Sequence, residues 1–162
     1  MKTYLVRDGI AAEDTWTHVG DGEELPDDGG DAIVAEARWH ASRSTFDRYP
    51  GRFGVRIAAA TRPEPLAADF ARFDLIAVEI TNFMDGRVFS LGRLLRSRYH
   101  WTGELRACGC VLPDQAYFLK RVGFNTLEFD TQQRRKTALR ALASFSVRYQ
   151  GSEDAFALHR YR

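Results

Sequence analysis

The sequence predicts one α/β domain: a mainly parallel sheet of about five βα units, curved like part of a TIM barrel, with an N-terminal β-hairpin. Three observations lead there. From residue 31 onward, short apolar runs alternate with helix-compatible segments. Four of those runs carry a single charge between apolar neighbours. The chain of 162 residues has the length of one domain and can bury a core without metal or disulfide staples.

Residues 1–30 differ from the rest. Lys2–Arg7 and Thr15–Val19 hold β-prone residues around the turn signal Asp8-Gly9, and read as a short hairpin or two edge strands. Gly20 to Gly30 is acidic and glycine-rich, which suits an exposed loop inside the domain. Residues 31–150 should hold the βα units. The strands are Ala32–Ala35, Gly54–Ala59, Leu75–Ile80, Glu104–Cys108 and Thr126–Phe129. The helices are Arg38–Tyr49, Leu66–Arg72, Val88–Tyr99 and Pro113–Val122, with a last one capped by Asp130 and striped with Ala138, Leu139, Leu142, Phe145 and Tyr149. Pro113 suits the first helical position, and Gly123 suits a left-handed helix end over which Phe124 folds back. Gly151 ends the last helix, and 151–162 is a tail whose stretch Ala155–Arg162 is a late strand or an arm.

Strands buried on both faces should be continuously apolar. Here Val55-Arg56-Ile57, Val78-Glu79-Ile80, Leu105-Arg106-Ala107 and Leu127-Glu128-Phe129 place alternating signs at strand centres. Side chains alternate across a strand, so neighbouring strands would gather these charges on one face, with helices packed on the other. Charges taken out of water need partners, so ion pairs among the four are expected. A structural ladder and a binding face both fit that pattern.

Two strand-to-helix connections are candidate sites, because ligands bind at the carboxyl edge of parallel sheets. The first is Asp85-Gly86-Arg87-Val88-Phe89-Ser90. A wheel places Val88, Leu91, Leu94, Leu95 and Tyr99 on the buried stripe, with Arg93 and Arg96 on the solvated side. Arg87 opposes the helix dipole in the first turn, so it calls for an anion. That anion is either Asp85 or a bound oxyanion. The second connection is Cys108-Gly109-Cys110-Val111-Leu112-Pro113-Asp114-Gln115, in which Asp114 and Gln115 serve either the helix start or the rim of a site.

The exclusions are informative. A formal charge of +1 offers no global field for nucleic acid. No apolar run spans a membrane, and the N-terminus lacks a signal-peptide core. Cys108 and Cys110 are too close for a relaxed disulfide, which suits a reduced, cytoplasmic protein. Their spacing matches neither zinc sites nor C-x-x-C redox pairs, and His18, His40, His100 and His159 are scattered, so no metal is expected. Dinucleotide, Walker and nucleophile-elbow fingerprints are absent, so the cofactor is left open.

Leu75 to about Tyr149 resembles an uncharacterised bacterial family labelled as an oxidoreductase probably involved in sulfite reduction. Its genes commonly lie beside assimilatory sulfite reductase. The most specific pieces are Asp85-Gly86-Arg87, Leu94-Leu95-Arg96, Gly103-Glu104-Leu105-Arg106-Ala107, Asp114-Gln115 and Gly123-Phe124. The family has Asp where this chain has Cys110, Arg at Pro113 and often Cys at Val122, which argues against a thiol role here. The resemblance implies an accessory protein or oxidoreductase of sulfite reduction, handling a small oxyanion. Arg87 is the expected anion ligand, oriented by Asp85, with Ser90 beside it. Arg106 and Glu79 would form an inner pair, and Asp114 and Gln115 would line the rim. The alternative is a non-catalytic adaptor docking on sulfite reductase or its electron donor through Arg93 and Arg96. Open sheet edges would be covered by a partner or a homodimer.

Overall fold

The computed structural model describes residues 2–144. Eight strands form one sheet in the order β2-β1-β8-β7-β6-β5-β4-β3. Strands β3 (Thr17–Val19), β4 (Ala32–Ala35), β5 (Phe53–Ala58), β6 (Leu75–Ile80), β7 (Glu104–Gly109) and β8 (Thr126–Phe129) run parallel. The sheet is mixed, because β1 (Tyr4–Arg7) lies antiparallel to β8 and to β2 (Ile10–Ala12). The Asp8-Gly9 turn therefore closes a hairpin, with both residues at positive φ. Its second strand is Ile10–Ala12, whereas Thr17–Val19 forms β3 at the far edge of the sheet.

That separation shapes the sheet. Laid flat, seven strand spacings would hold the two edges roughly 34 Å apart. Yet only residues 13–16 join β2 to β3, and the five Cα steps from Ala12 to Thr17 reach at most about 19 Å. The sheet must curl into a half-barrel, with residues 13–16 strapped across its open side. The contact between His18 on β3 and Glu128 on β8 crosses the same concavity.

The expected alternation of strands and helices holds from β4 onward, with differences in detail. Arg38–Tyr49 is two short helices, α1 (Glu36–Ala41) and α2 (Arg43–Phe46). The segment between β5 and β6 is a 3₁₀ helix, Glu64–Arg72, where Pro65 withholds an N–H near its start. Helix α3 is Arg87–Ser97, and a 3₁₀ turn at Pro113–Gln115 leads into α4 (Ala116–Arg121). Gly123 takes φ 110°, and Phe124 folds back into the core. Helix α5 is Gln132–Ser144. Its first turn is capped by Thr131, whose hydroxyl accepts from the Arg134 N–H at 3.2 Å, while the expected cap Asp130 pairs with the Arg134 guanidinium at 2.9 Å. Phe145, Tyr149, Gly151 and the tail lie outside the described residues.

The helices pack on one face of the sheet only. Trp39, Leu66, Phe70, Val88, Leu91, Leu95, Leu119 and Ala138 join Val55, Ile57, Ile76, Val78, Leu105, Leu127 and Phe129 in one apolar core. The concave face holds a separate, smaller cluster of Trp16, Ile33, Leu75, Ala77 and Cys108. No helix among the described residues is long and apolar enough to cross a membrane.

Candidate functional site

The alternating strand charges point into the concavity, and Arg106 anchors them. It sits on β7 with 0% of its surface exposed. Burying a guanidinium costs several kcal/mol unless its N–H groups are satisfied. Its two terminal nitrogens fork onto Asp14 Oδ2 and Oδ1 at 2.9 and 3.0 Å. Nε and one terminal nitrogen reach Glu104 Oε1 at 3.1 and 3.0 Å, and the other reaches Glu128 Oε2 at 3.3 Å. Burial alone would lower its pKa, but Asp14 and Glu104 outweigh burial and raise it, so Arg106 stays charged. Burial likewise pushes the Asp14 carboxyl up, and the hydrogen bonds and charge of Arg106 more than reverse this, leaving it below the usual carboxylate range. Arg7 adds a second cation on Glu104 at 3.3 Å.

Above this network, toward the carboxyl ends of the strands, lies a pocket of about 480 Å³ lined by Thr3, Asp14, Trp16, Thr17, His18, Arg56, Glu79, Cys108, Gly109 and Glu128. His18 Nε2 lies 3.1 Å from Glu128 Oε2. Asp14, His18 and Glu128 bring ligand atoms within 4.8 Å of one another, a spacing a metal ion could use. However, each Asp14 oxygen already accepts two hydrogen bonds, from Arg106 and Thr3 on one side and from Arg106 and the Trp16 N–H on the other. Arg106 thus supplies the positive charge that a metal would otherwise bring.

Arg56 and Glu79 differ from the charged groups around Arg106. Among the described residues their one polar side-chain contact is to each other, Arg56 Nε to Glu79 Oε2 at 3.9 Å, beyond hydrogen-bond reach. Both charged heads therefore enter the pocket with their hydrogen-bonding capacity unspent.

The expected site residues fall into two places. Arg106 and Glu79 share the concave face but take different partners. In the parallel register Ala77 lies opposite Arg106 and Cys108 opposite Glu79, which offsets the two charges along the strands. At the β6–α3 connection, Arg87 binds Asp85 through a fork of 2.8 and 2.8 Å, and the Arg87 backbone N–H reaches Asp85 Oδ1 at 3.1 Å. The Arg87 guanidinium beside it holds the Asp85 carboxyl below its ordinary range. Ser90 and Asp114 are exposed, and Ser90 lies one turn into α3. Gln115 joins the two loops, donating to the Phe83 carbonyl at 2.8 Å. None of the Arg87 bonds reaches Glu79 or Arg106, so the loop cluster and the concave pocket are separate. Arg96, expected on the solvated side, instead folds under the chain and donates to the carbonyls of Trp101, Gly103 and Gly123.

Cys108 is buried and Cys110 exposed, and neither is in a disulfide. Burial, then the nearby Glu128 and Glu79 charges, push the Cys108 thiol far up, opposite to what a reactive thiol needs. Sequence reasoning missed Asp14, Trp16, Thr17 and His18. Thr15–Val19 reads as a strand of a short hairpin or as an edge strand; the structure makes Thr17–Val19 an edge strand, and nothing in the sequence says that it faces Arg106 and Glu128.

The chain belongs to a family described as "Bacterial protein of unknown function (DUF934)", whose profile matches residues 54–157. No curated protein matches it. The matched stretch contributes Arg56, Glu79, Arg106, Cys108 and Glu128 to the concave face, while Asp14, Trp16 and His18 come from the segment before it.

Proposed function

We propose that the protein is a small-ligand-binding component of assimilatory sulfite reduction, an accessory protein or oxidoreductase, and that its site is the concave pocket. Sulfite is the leading small oxyanion, and Arg56 is its ligand. The observation that carries this reading is the hydrogen-bonding capacity of Arg56, which no side chain among the described residues takes up. The buried Arg106 is forked by carboxylates, Arg7 is taken by Glu104, and Arg87 is forked by Asp85 outside the pocket. Arginine presents paired donors that match an oxyanion, and a pocket strengthens such contacts relative to water. The sulfur pathway comes from the family resemblance, and the pocket supplies a place for the chemistry.

Melting temperature with added anion tests this. At a hundredfold excess over the dissociation constant, a ligand adds about 2.7 kcal/mol, or roughly 5–10 °C for a domain of this size. Sulfite should produce such a shift in the wild type and in Arg87→Ala, but not in Arg56→Ala. The reading fails if sulfite, sulfate and phosphate leave the melting temperature unmoved, or if Arg56→Ala keeps the full shift.

A second reading, a non-catalytic adaptor for sulfite reductase or its electron donor, is favoured by Phe83 and Met84, which stand exposed at the β6–α3 loop. This apolar tip replaces the Arg93/Arg96 face as the docking surface, because Arg96 is turned inward. Met84→Asp should then abolish co-purification with sulfite reductase while leaving the anion shift intact.

A further inference from the structure

We infer that the pocket takes a zwitterion, specifically an α-amino acid, with its carboxylate on Arg56 and its ammonium on Glu79. The inference rests on the concave pocket being the ligand site and on Arg56 being its anion ligand.

Three observations carry it. First, the Arg56–Glu79 pair is open. At 3.9 Å the two heads attract each other without a hydrogen bond, although both are partly exposed and line the same cavity. A hydrogen-bonded pair would lie at about 2.8 Å. Arg56 therefore offers donors, and Glu79 offers acceptors, side by side.

Second, the spacing fits. In an α-amino acid the ammonium and carboxylate are carried by adjacent atoms, so a nitrogen and a carboxylate oxygen lie roughly 3–4 Å apart. That is the separation of the two protein heads, so one ligand can meet both with opposite charges matched. An oxyanion engages Arg56 alone, whereas a zwitterion also gives the Glu79 carboxylate an opposite charge.

Third, the pocket has the size and walls for more than an oxyanion. Its volume of about 480 Å³ falls in the range of small-molecule sites. Beyond the charged pair, its lining includes Trp16 and Cys108, both buried and both in the small apolar cluster of the concave face. An aliphatic or thioether side chain fits that wall. The remaining charges deepen the preference for a partly cationic ligand. Asp14 and Glu128 are acidic, Arg106 is turned inward, and one oxygen of Glu128 makes no hydrogen bond among the described residues.

L-methionine, its amide (no carboxylate), N-acetylmethionine (no ammonium) and sulfite serve as probes, with affinities measured by calorimetry on the full chain. L-methionine should bind at least tenfold tighter than either derivative. Glu79→Gln should cut its affinity tenfold or more and bring it level with N-acetylmethionine. Arg56→Ala should lose both. These variants remove only the 3.9 Å pair, so their melting temperatures should stay within about 2 °C of the wild type, and that measurement separates a lost ligand from a lost fold. If sulfite binds through Arg56 and L-methionine does not, the zwitterion is overturned and the oxyanion reading stands. If L-methionine binds and sulfite does not, the zwitterion stands and the oxyanion is overturned. If neither binds, both fall. L-methionine binding that Glu79→Gln leaves unchanged also overturns the assignment.

Discussion

Arg106 is the residue on which the concave face depends. Its removal would strand Asp14, Glu104 and Glu128 in a confined space without their shared cation. Breaking a buried ion pair from one side commonly costs about 3–5 kcal/mol. Arg106→Ala should therefore lower the urea-unfolding free energy by about that much, and a loss below about 1 kcal/mol would show that water or Arg7 replaces it. The acid side of the pair sets a pH dependence. Asp14 has a lowered pKa in the folded state, so its contribution is fully present above the ordinary carboxylate pKa of about 3.9 and is lost as pH falls through the lower folded value. The stability of the wild type should therefore drop more steeply below about pH 4 than that of Asp14→Asn, which denaturant titrations at a series of pH values would measure. The two thiols should separate cleanly. Cys110 should react with a thiol reagent at once, and Cys108 only at the rate of unfolding, since it is buried and its thiolate is disfavoured.

At the scale of elements, α3 approaches α4 and the turn after it so closely that Gly92 leaves no room for a side chain. A Cβ there would lie 2.4 Å from Phe124 Cε2. Phe124 is itself fixed in the core beyond the Gly123 turn, so it cannot swing away cheaply. Gly92→Ala gains helix propensity of about 1 kcal/mol, yet should destabilise the protein overall by about 1–3 kcal/mol through overpacking. A stabilised variant in denaturant titration would mean the helix simply shifts outward. The strands were the legible part of this architecture. The period-2 placement of Arg56, Glu79, Arg106 and Glu128 correctly predicts one charged face, because strand alternation is a local property. Ion pairing among the four is also legible, and Arg56 pairs with Glu79 and Arg106 with Glu128. Which partner each takes is not, because that depends on inter-strand register and on Asp14 arriving from far along the chain. Arg96 shows the same limit. A helical wheel finds the face it occupies, but not the loop that folds over that face to accept three hydrogen bonds from it.

For the whole molecule, the decisive fact was hidden in residues 13–16. Read locally, the first 19 residues look like one hairpin or two edge strands. In fact β2 and β3 lie at opposite edges of the sheet, and the link between them forces the curl. Nothing in local propensity distinguishes a hairpin turn from a strap of similar length. The pocket is illegible for the same reason, since Asp14 and Trp16 reach it from that strap and Thr17 and His18 from β3 directly after it.

The strap also governs when the pocket can exist. Asp14 meets Arg106 across 92 residues of chain, and His18 meets Glu128 across 110. During synthesis the N-terminal strands emerge first, and their partners in the concavity follow only 92 to 110 residues later. Until Glu128 is available, β1 lacks its neighbour β8, and the acidic strap has no complete cradle to cross. A chain that stops before Glu128 therefore lacks the pocket altogether, rather than carrying a weakened copy of it. Ligand binding at this site would report that translation has passed β8 and that the two ends of the sheet have met.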